Sequence, residues 1–228
     1  MFDRSSYHNR QPVIANRIRG SLSSLNSSTY DEIAPKIEYW IEFVLAERSM
    51  TAGDLAERVS TLAWCECSRS DVSRFLKEFR DAPHRSEQAR SFVDGLCDHV
   101  LLWFAVASAE NLPANTVSGE VQMSGGIGFI CAASFVGHLI ECELLAHDLV
   151  RRRLIKPLIA HHYANERDTA GSANANAIYQ LFVIAGNTLL QGLLEPEDVQ
   201  VCFGTLDTRP DYPIQGLPRF DGARVNVR

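Results

Sequence analysis

The chain has 228 residues, 46% hydrophobic and 22% charged, which is enough apolar material for a core of one domain or slightly more and excludes global disorder. Its formal charge of −6 argues against a dedicated nucleic-acid binder, whose footprint is a basic excess, while allowing a local basic patch. The six cysteines do not form the dense framework of a small stapled domain, four of them sit in apolar runs, and residues 1–11 are polar with no signal-peptide core, so a reducing, cytoplasmic setting is expected.

Taken in chain order, the pattern predicts helices almost throughout. A first helix starts at Pro12 and runs through Leu22, with Asn26 as N-cap of the next. Tyr30, Ile33, Ile37, Trp40, Ile41, Val44 and Leu45 recur at spacings of three and four and mark one apolar face of that second helix. Thr51-Ala-Gly-Asp54 reads as a capping box before a third helix with Leu55, Val59, Leu62 and Ala63, and Ser70 or Asp71 caps a fourth with Val72, Phe75, Leu76 and Phe79. After a break at Pro83, Ser86 begins a long helix with Phe92, Leu96, Val100, Trp103, Phe104 and Ala107 inward. Residues 111–119 are turn-rich and read as a loop.

The Val121–Ile140 run has no Asp, Glu, Lys or Arg and reaches membrane-spanning length. It contains Ser134 and His138, and Glu120 and Glu141 close it instead of aromatic or basic anchors, so it reads as a buried central helix from Gly128 to Cys142, not a membrane segment. Gly125-Gly-Ile-Gly128 follows no strand and precedes no Lys-Ser/Thr, so it reads as a flexible turn, not a phosphate loop. Helices are then expected over Leu145–Tyr163 and Ala173–Leu190, separated by a loop at 165–172, and a short one opens at Glu195-Pro-Glu-Asp198. The organisation is therefore a tail over 1–11, a helical domain over 12–207 and an extended Pro/Gly-rich tail over 208–228. Helix pairs of roughly 35 to 50 residues predict an all-α protein, an α-solenoid of about three to four HEAT-like antiparallel pairs; a compact helical bundle satisfies the same periodicity.

Catalytic and metal chemistry find little footing in the sequence. Cys65-x-Cys67 has no second pair at ligand spacing, His138, Cys142 and His147 straddle a break near Glu143, and His161-His162 with Glu166 is not the zincin pattern. No Gly-x-Ser-x-Gly elbow occurs, and Glu141, Glu143 and Asp148 read as a solvated acidic rim. Neither an enzyme nor a metal or other cofactor is expected. Two basic clusters are candidates for RNA contact, one with Arg17 and Arg19 beside Arg4 and Arg10, the other with Arg151, Arg152, Arg153 and Lys156; neither interleaves with aromatic residues along the chain.

Two stretches carry a likeness. Val13-Ile-Ala-Asn-Arg-Ile-Arg-Gly-Ser-Leu-Ser-Ser-Leu-Asn-Ser-Ser-Thr-Tyr30, followed by Ile33, Ile37 and Trp40, resembles the opening helix pair of the middle domain of eukaryotic translation initiation factor 4G. Phe135, Gly137, Leu139, Leu144 and Leu145 resemble that family's third-repeat signature, with weaker support from Leu96-Cys97 and from Ile178 to Gly186. The likeness covers about residues 13 to 190, with a segment between Ala107 and Gly128 that looks shorter than the family's and without the repeats that normally follow the third. It implies a non-catalytic protein- and RNA-binding scaffold whose partner is a DEAD-box RNA helicase, with Leu22, Leu25 and Tyr30 as the contact residues. Spacing alone favours another reading, in which those three are a core staple around a helix turn.

Overall fold

The computed structural model of the protein describes residues 10–47, 50–60, 69–110, 125–158 and 169–189. The protein is all-α, and no strand occurs among the described residues. The chain forms two compact units, Met1–Val100 and Leu101–Arg228.

The first unit holds α1 (Arg10–Ser23), α2 (Tyr30–Ala46), α3 (Ala52–Ser60), α4 (Arg69–Asp81) and the opening of α5 (Glu87–Glu110). The helix α1 packs on α2 and on α3, and α2 packs on α4. Arg17 lies across from Trp40 while Ser24 bonds the Thr29 hydroxyl at the other end, so α1 and α2 run antiparallel. The core collects Ile18, Leu22, Leu25, Ile37, Ile41, Leu55, Phe75, Phe79 and Phe92, each burial contributing about 2–3 kcal/mol relative to exposure. On α2 the sequence stripe survives at Ile37, Ile41, Val44 and Leu45, whereas Tyr30, Ile33 and Trp40 stay partly exposed at its margin. Pro35 lies inside α2 on its exposed side, so the helix forgoes one N–H donor away from the core.

Helix starts follow local chemistry where the caps are short and polar. Thr51 accepts the Asp54 N–H at 3.1 Å and Asp54 takes the Thr51 hydroxyl at 2.7 Å, as the capping box predicts. Ser86 caps α5 by accepting the Ala89 N–H at 3.2 Å. Two other expectations are corrected. Asn26 is not the cap of α2: its side-chain oxygen accepts the Ser28 N–H at 2.9 Å in a turn of its own, and Thr29 is the residue before the helix. Ser70 and Asp71 do not cap α4, which already runs from Arg69; Asp71 is buried in its first turn and accepts the Ser27 hydroxyl at 3.1 Å.

Beyond α4, Arg85 is buried with its guanidinium 4.5 Å from the centre of the Phe79 ring and paired with Glu38 and Glu42 of α2. This clasp ties two acidic side chains of α2 to one cation and offsets one of their two charges. Gly95 lets α5 approach α3, since a Cβ there would stand 3.2 Å from that of Ala56.

The second unit holds the rest of α5, α6 (Gly125–Glu141), α7 (His147–Val150) with the π-helical turn Arg151–Ile155 that continues it, and α8 (Thr169–Thr188). The core pairs α6 with α8 around Phe135, Val136, Leu139, Ile178, Leu181 and Phe182. A Cβ on Gly137 would sit 3.1 Å from the Ile184 Cβ, so the two helices meet where a side chain is missing. Both helices start earlier than expected: Gly125–Gly128 lies within α6, not in a preceding turn, and 169–172 belongs to α8, not to a loop. In the π turn the Lys156 N–H returns to the Arg151 carbonyl, and Pro157, with no N–H to give, follows at once. Among the described residues no helix is long and apolar enough to cross a membrane. The expected loop at 111–119, the helix opening at Glu195 and the 208–228 tail lie outside the described residues.

Candidate interaction surface

The face of α1 turned from the core carries Val13, Arg17, Gly20, Ser21 and Ser24, at helical spacings of three and four. On α2, Tyr39 and Phe43 fall out of phase with the buried Ile37–Ile41–Val44 stripe and emerge on the surface, with half-buried Trp40 at the edge of the stripe between them. Tyr39 is 59% exposed, Phe43 39% and Val13 50%. The three rings form one cluster. Tyr39 lies 5.2 Å from Trp40 edge-on and 6.0 Å from Phe43 nearly parallel, and Trp40 meets Phe43 edge-on at 6.2 Å. The Arg17 guanidinium stands 5.1 Å from the centre of the Trp40 ring, a cation–π contact across the helix pair.

Beside these rings a groove of about 410 Å³ runs between α1 and α2. Gly20, Ser21 and Ser24 line it on α1, Arg17 and Trp40 stand at one end, and the Lys36–Glu32 ion pair, 2.7 Å long, stands at the other. A Cβ on Gly20 would meet nothing within 4 Å, so the groove is open there.

The sequence-level candidates are distributed differently. Leu22 is 6% exposed and Leu25 is fully buried, so in this conformation both are core staples between helices and neither offers a side chain to a partner. Tyr30 is partly exposed, but its ring lies 3.7 Å beneath the Arg74 guanidinium and its hydroxyl donates to Glu78 at 2.5 Å. Burial, then the Glu78 carboxylate, holds the Tyr30 phenol well above its ordinary range. Phe135, Leu139, Leu144 and Leu145, which carry the likeness in the second unit, are buried as well, and Gly137 serves the α6–α8 approach.

The basic candidates do not converge. Arg17 faces the α1–α2 groove, whereas Arg19, two residues on, lines a separate cavity of about 340 Å³ with Arg58 and Glu57 of α3. Arg152 pairs with Asp148 one turn back, Arg153 and Lys156 are exposed, and Arg151 is half-buried. The clusters also belong to different units. Arg4 and the Cys65, Cys67, His161, His162 and Glu166 set lie outside the described residues. Among the described residues no three His, Cys, Asp or Glu side chains gather at metal-binding distance.

With this geometry in view, comparison adds no relative. No family model, curated protein or solved structure matches the chain. The aromatic cluster was missed as a site because Trp40 fits the apolar stripe. The signal for it was nonetheless present, since Tyr39 and Phe43 are an i, i+4 aromatic pair that the buried stripe does not use.

Proposed function

We propose that this chain is a non-catalytic, HEAT-like helical scaffold that binds a protein partner through its first helix pair. The observation that carries the reading is the Tyr39–Trp40–Phe43 cluster, with Tyr39 and Phe43 exposed and Trp40 half-buried between them, because contiguous aromatic surface on a folded protein marks association sites. The solenoid form is supported by the first unit, where first helix packs on first helix (α1 on α3) and second on second (α2 on α4). The non-catalytic character is supported by the strongly shifted groups, which have packing explanations: Cys97 is a core thiol, and Tyr30 is enclosed by Arg74 and Glu78. A reducing, cytoplasmic setting belongs to the same reading, Cys97 being a buried free thiol.

The partner class is a DEAD-box RNA helicase of translation or RNA metabolism, taken from the resemblance to the initiation factor 4G middle domain. Its contact is reassigned from Leu22 and Leu25 to the exposed rings, with Tyr30 at the margin. The test is a titration of the full chain against DEAD-box translation helicases, with helicase ATPase followed in parallel. Saturable binding is expected, and Tyr39→Ser with Phe43→Ser should weaken it about tenfold or more at unchanged helicity. Binding untouched by that double change would move the site elsewhere, and no binding to any helicase would remove that partner class.

A further inference from the structure

We propose that the α1–α2 groove docks an amphipathic helical segment of a protein partner that presents an aliphatic or aromatic residue and, one turn further on, an aspartate or glutamate. This rests on the reading of the first helix pair as a protein-binding surface and specifies the chemistry of what binds there.

Three observations define the occupant. The first is register. Arg17 lies level with Trp40, and Ser24 lies level with the start of α2, so the antiparallel pairing also brings Val13 level with Phe43. The surface is therefore graded: the exposed Val13, Tyr39 and Phe43 lie outside the groove, past its Arg17–Trp40 end, the Arg17 cation stands one turn along, and the groove's polar walls follow. The distance between the first two levels is four helix residues, about 6 Å, which equals the i to i+4 spacing of a docked helix.

The second observation is charge. Among the described residues no carboxylate lies within ion-pair distance of Arg17, whose guanidinium stacks on the Trp40 face with its edge open to donate. The nearby carboxylates of α2 are taken: Glu32 by Lys36, and Glu38 and Glu42 by Arg85. A partner carboxylate supplies the missing counter-charge, and stacking on Trp40 holds the guanidinium in place for it. A phosphodiester strand needs several cations in line, and this groove offers Arg17 and the already paired Lys36, which disfavours RNA there. The third observation is room, since the wall at Gly20 is bare.

The test is selection from a phage-displayed library of helical peptides of about 15 residues, randomised at two surface positions four apart, with the full chain as bait. Peptides carrying Leu, Phe or Trp followed by Asp or Glu are expected to enrich. Replacing the acid by Gln should weaken a selected peptide about tenfold, and the Arg17→Glu chain should select Lys or Arg at that position instead. Gly20→Gln should block the groove and abolish binding while keeping the helical circular dichroism spectrum and a melting temperature at or above the parent's. Enrichment without an acidic residue, identical selection by Arg17→Glu, no selected peptide at all, or capture of a labelled single-stranded uridine oligonucleotide that competes with the peptides would each overturn the proposal. A helicase that binds equally well to Arg17→Glu would sink the groove while leaving the protein-binding reading standing. Peptide selection without helicase binding would do the reverse to the choice of helicase.

Discussion

Single side chains in this protein carry their chemistry according to what encloses them. The Cys97 thiol is held in the core, where burial above all, and Asp94 next, pushes it up to about 12. The sign of the consequence follows from proton counting. Between about pH 9, where an unfolded thiol ionises, and about pH 12, the native state holds a proton that the unfolded state has released. Stability therefore falls as pH rises through that window and is unaffected by Cys97 below it. Urea midpoints at pH 8 and pH 10 should separate in the parent more than in Cys97→Ala, and equal separation would mean that the thiol is not enclosed. The same burial makes Cys97 slow to alkylate compared with half-exposed Cys142, which peptide mapping after a brief iodoacetamide pulse would read. Leu22 and Leu25 illustrate the limit of reading at this scale: their spacing favours a core staple, the family likeness argues for a contact edge, and the neighbouring helices bury both.

Elements were legible where a few polar atoms define them. The Thr51–Asp54 box and the Ser86 cap are local, so three or four residues suffice to predict them. Asn26 misled because its side chain prefers the backbone two residues on, which ends one turn without starting the helix. The glycines of α6 and the Thr169–Ser172 stretch of α8 misled in another way, since their weak intrinsic propensity is overridden by the packing of the two helices on each other. At its far end α6 closes with Leu144 N–H to the Leu139 carbonyl and Glu143 N–H to the Ile140 carbonyl, both 2.9 Å, and with Glu143 at φ 56°. That is a Schellman ending with a side chain where glycine is favoured, and Leu139 and Leu144 are both buried beside it. Glu143→Gly should therefore raise stability, by about 0.5–1 kcal/mol in urea unfolding; a loss would mean that the glutamate side chain contributes more than its backbone costs.

The whole chain divides inside the continuous helix α5, at Val100–Leu101, a boundary that no shift of composition marks. Each unit has its own tight helix approach through a glycine, Gly95 against Ala56 in the first and Gly137 against Ile184 in the second. Gly137→Ala places a methyl against a β-branched side chain that cannot swing away, at a cost of about 1–3 kcal/mol. Because α6 and α8 belong to the second unit, amide exchange in those helices should accelerate well beyond that in α1–α4. Uniform acceleration throughout the chain would show that the two units open as one. The all-α class was readable from periodicity at this scale, since helix spacing persists from Pro12 to Leu189. The surface was not, because an exposed aromatic and a buried one differ by neighbours supplied from elsewhere in the chain.

The ring cluster on α2 also gives the molecule an optical property. With Tyr39 and Trp40 only 5.2 Å apart, light absorbed by the tyrosine passes efficiently to the indole, and the edge-on geometry couples their near-ultraviolet transitions. Anything that settles on these rings strips water from Trp40 and shifts its emission toward the blue, so in a chain with Trp64→Phe and Trp103→Phe, which leave Trp40 as the one indole, occupancy of this face can be followed by its own fluorescence.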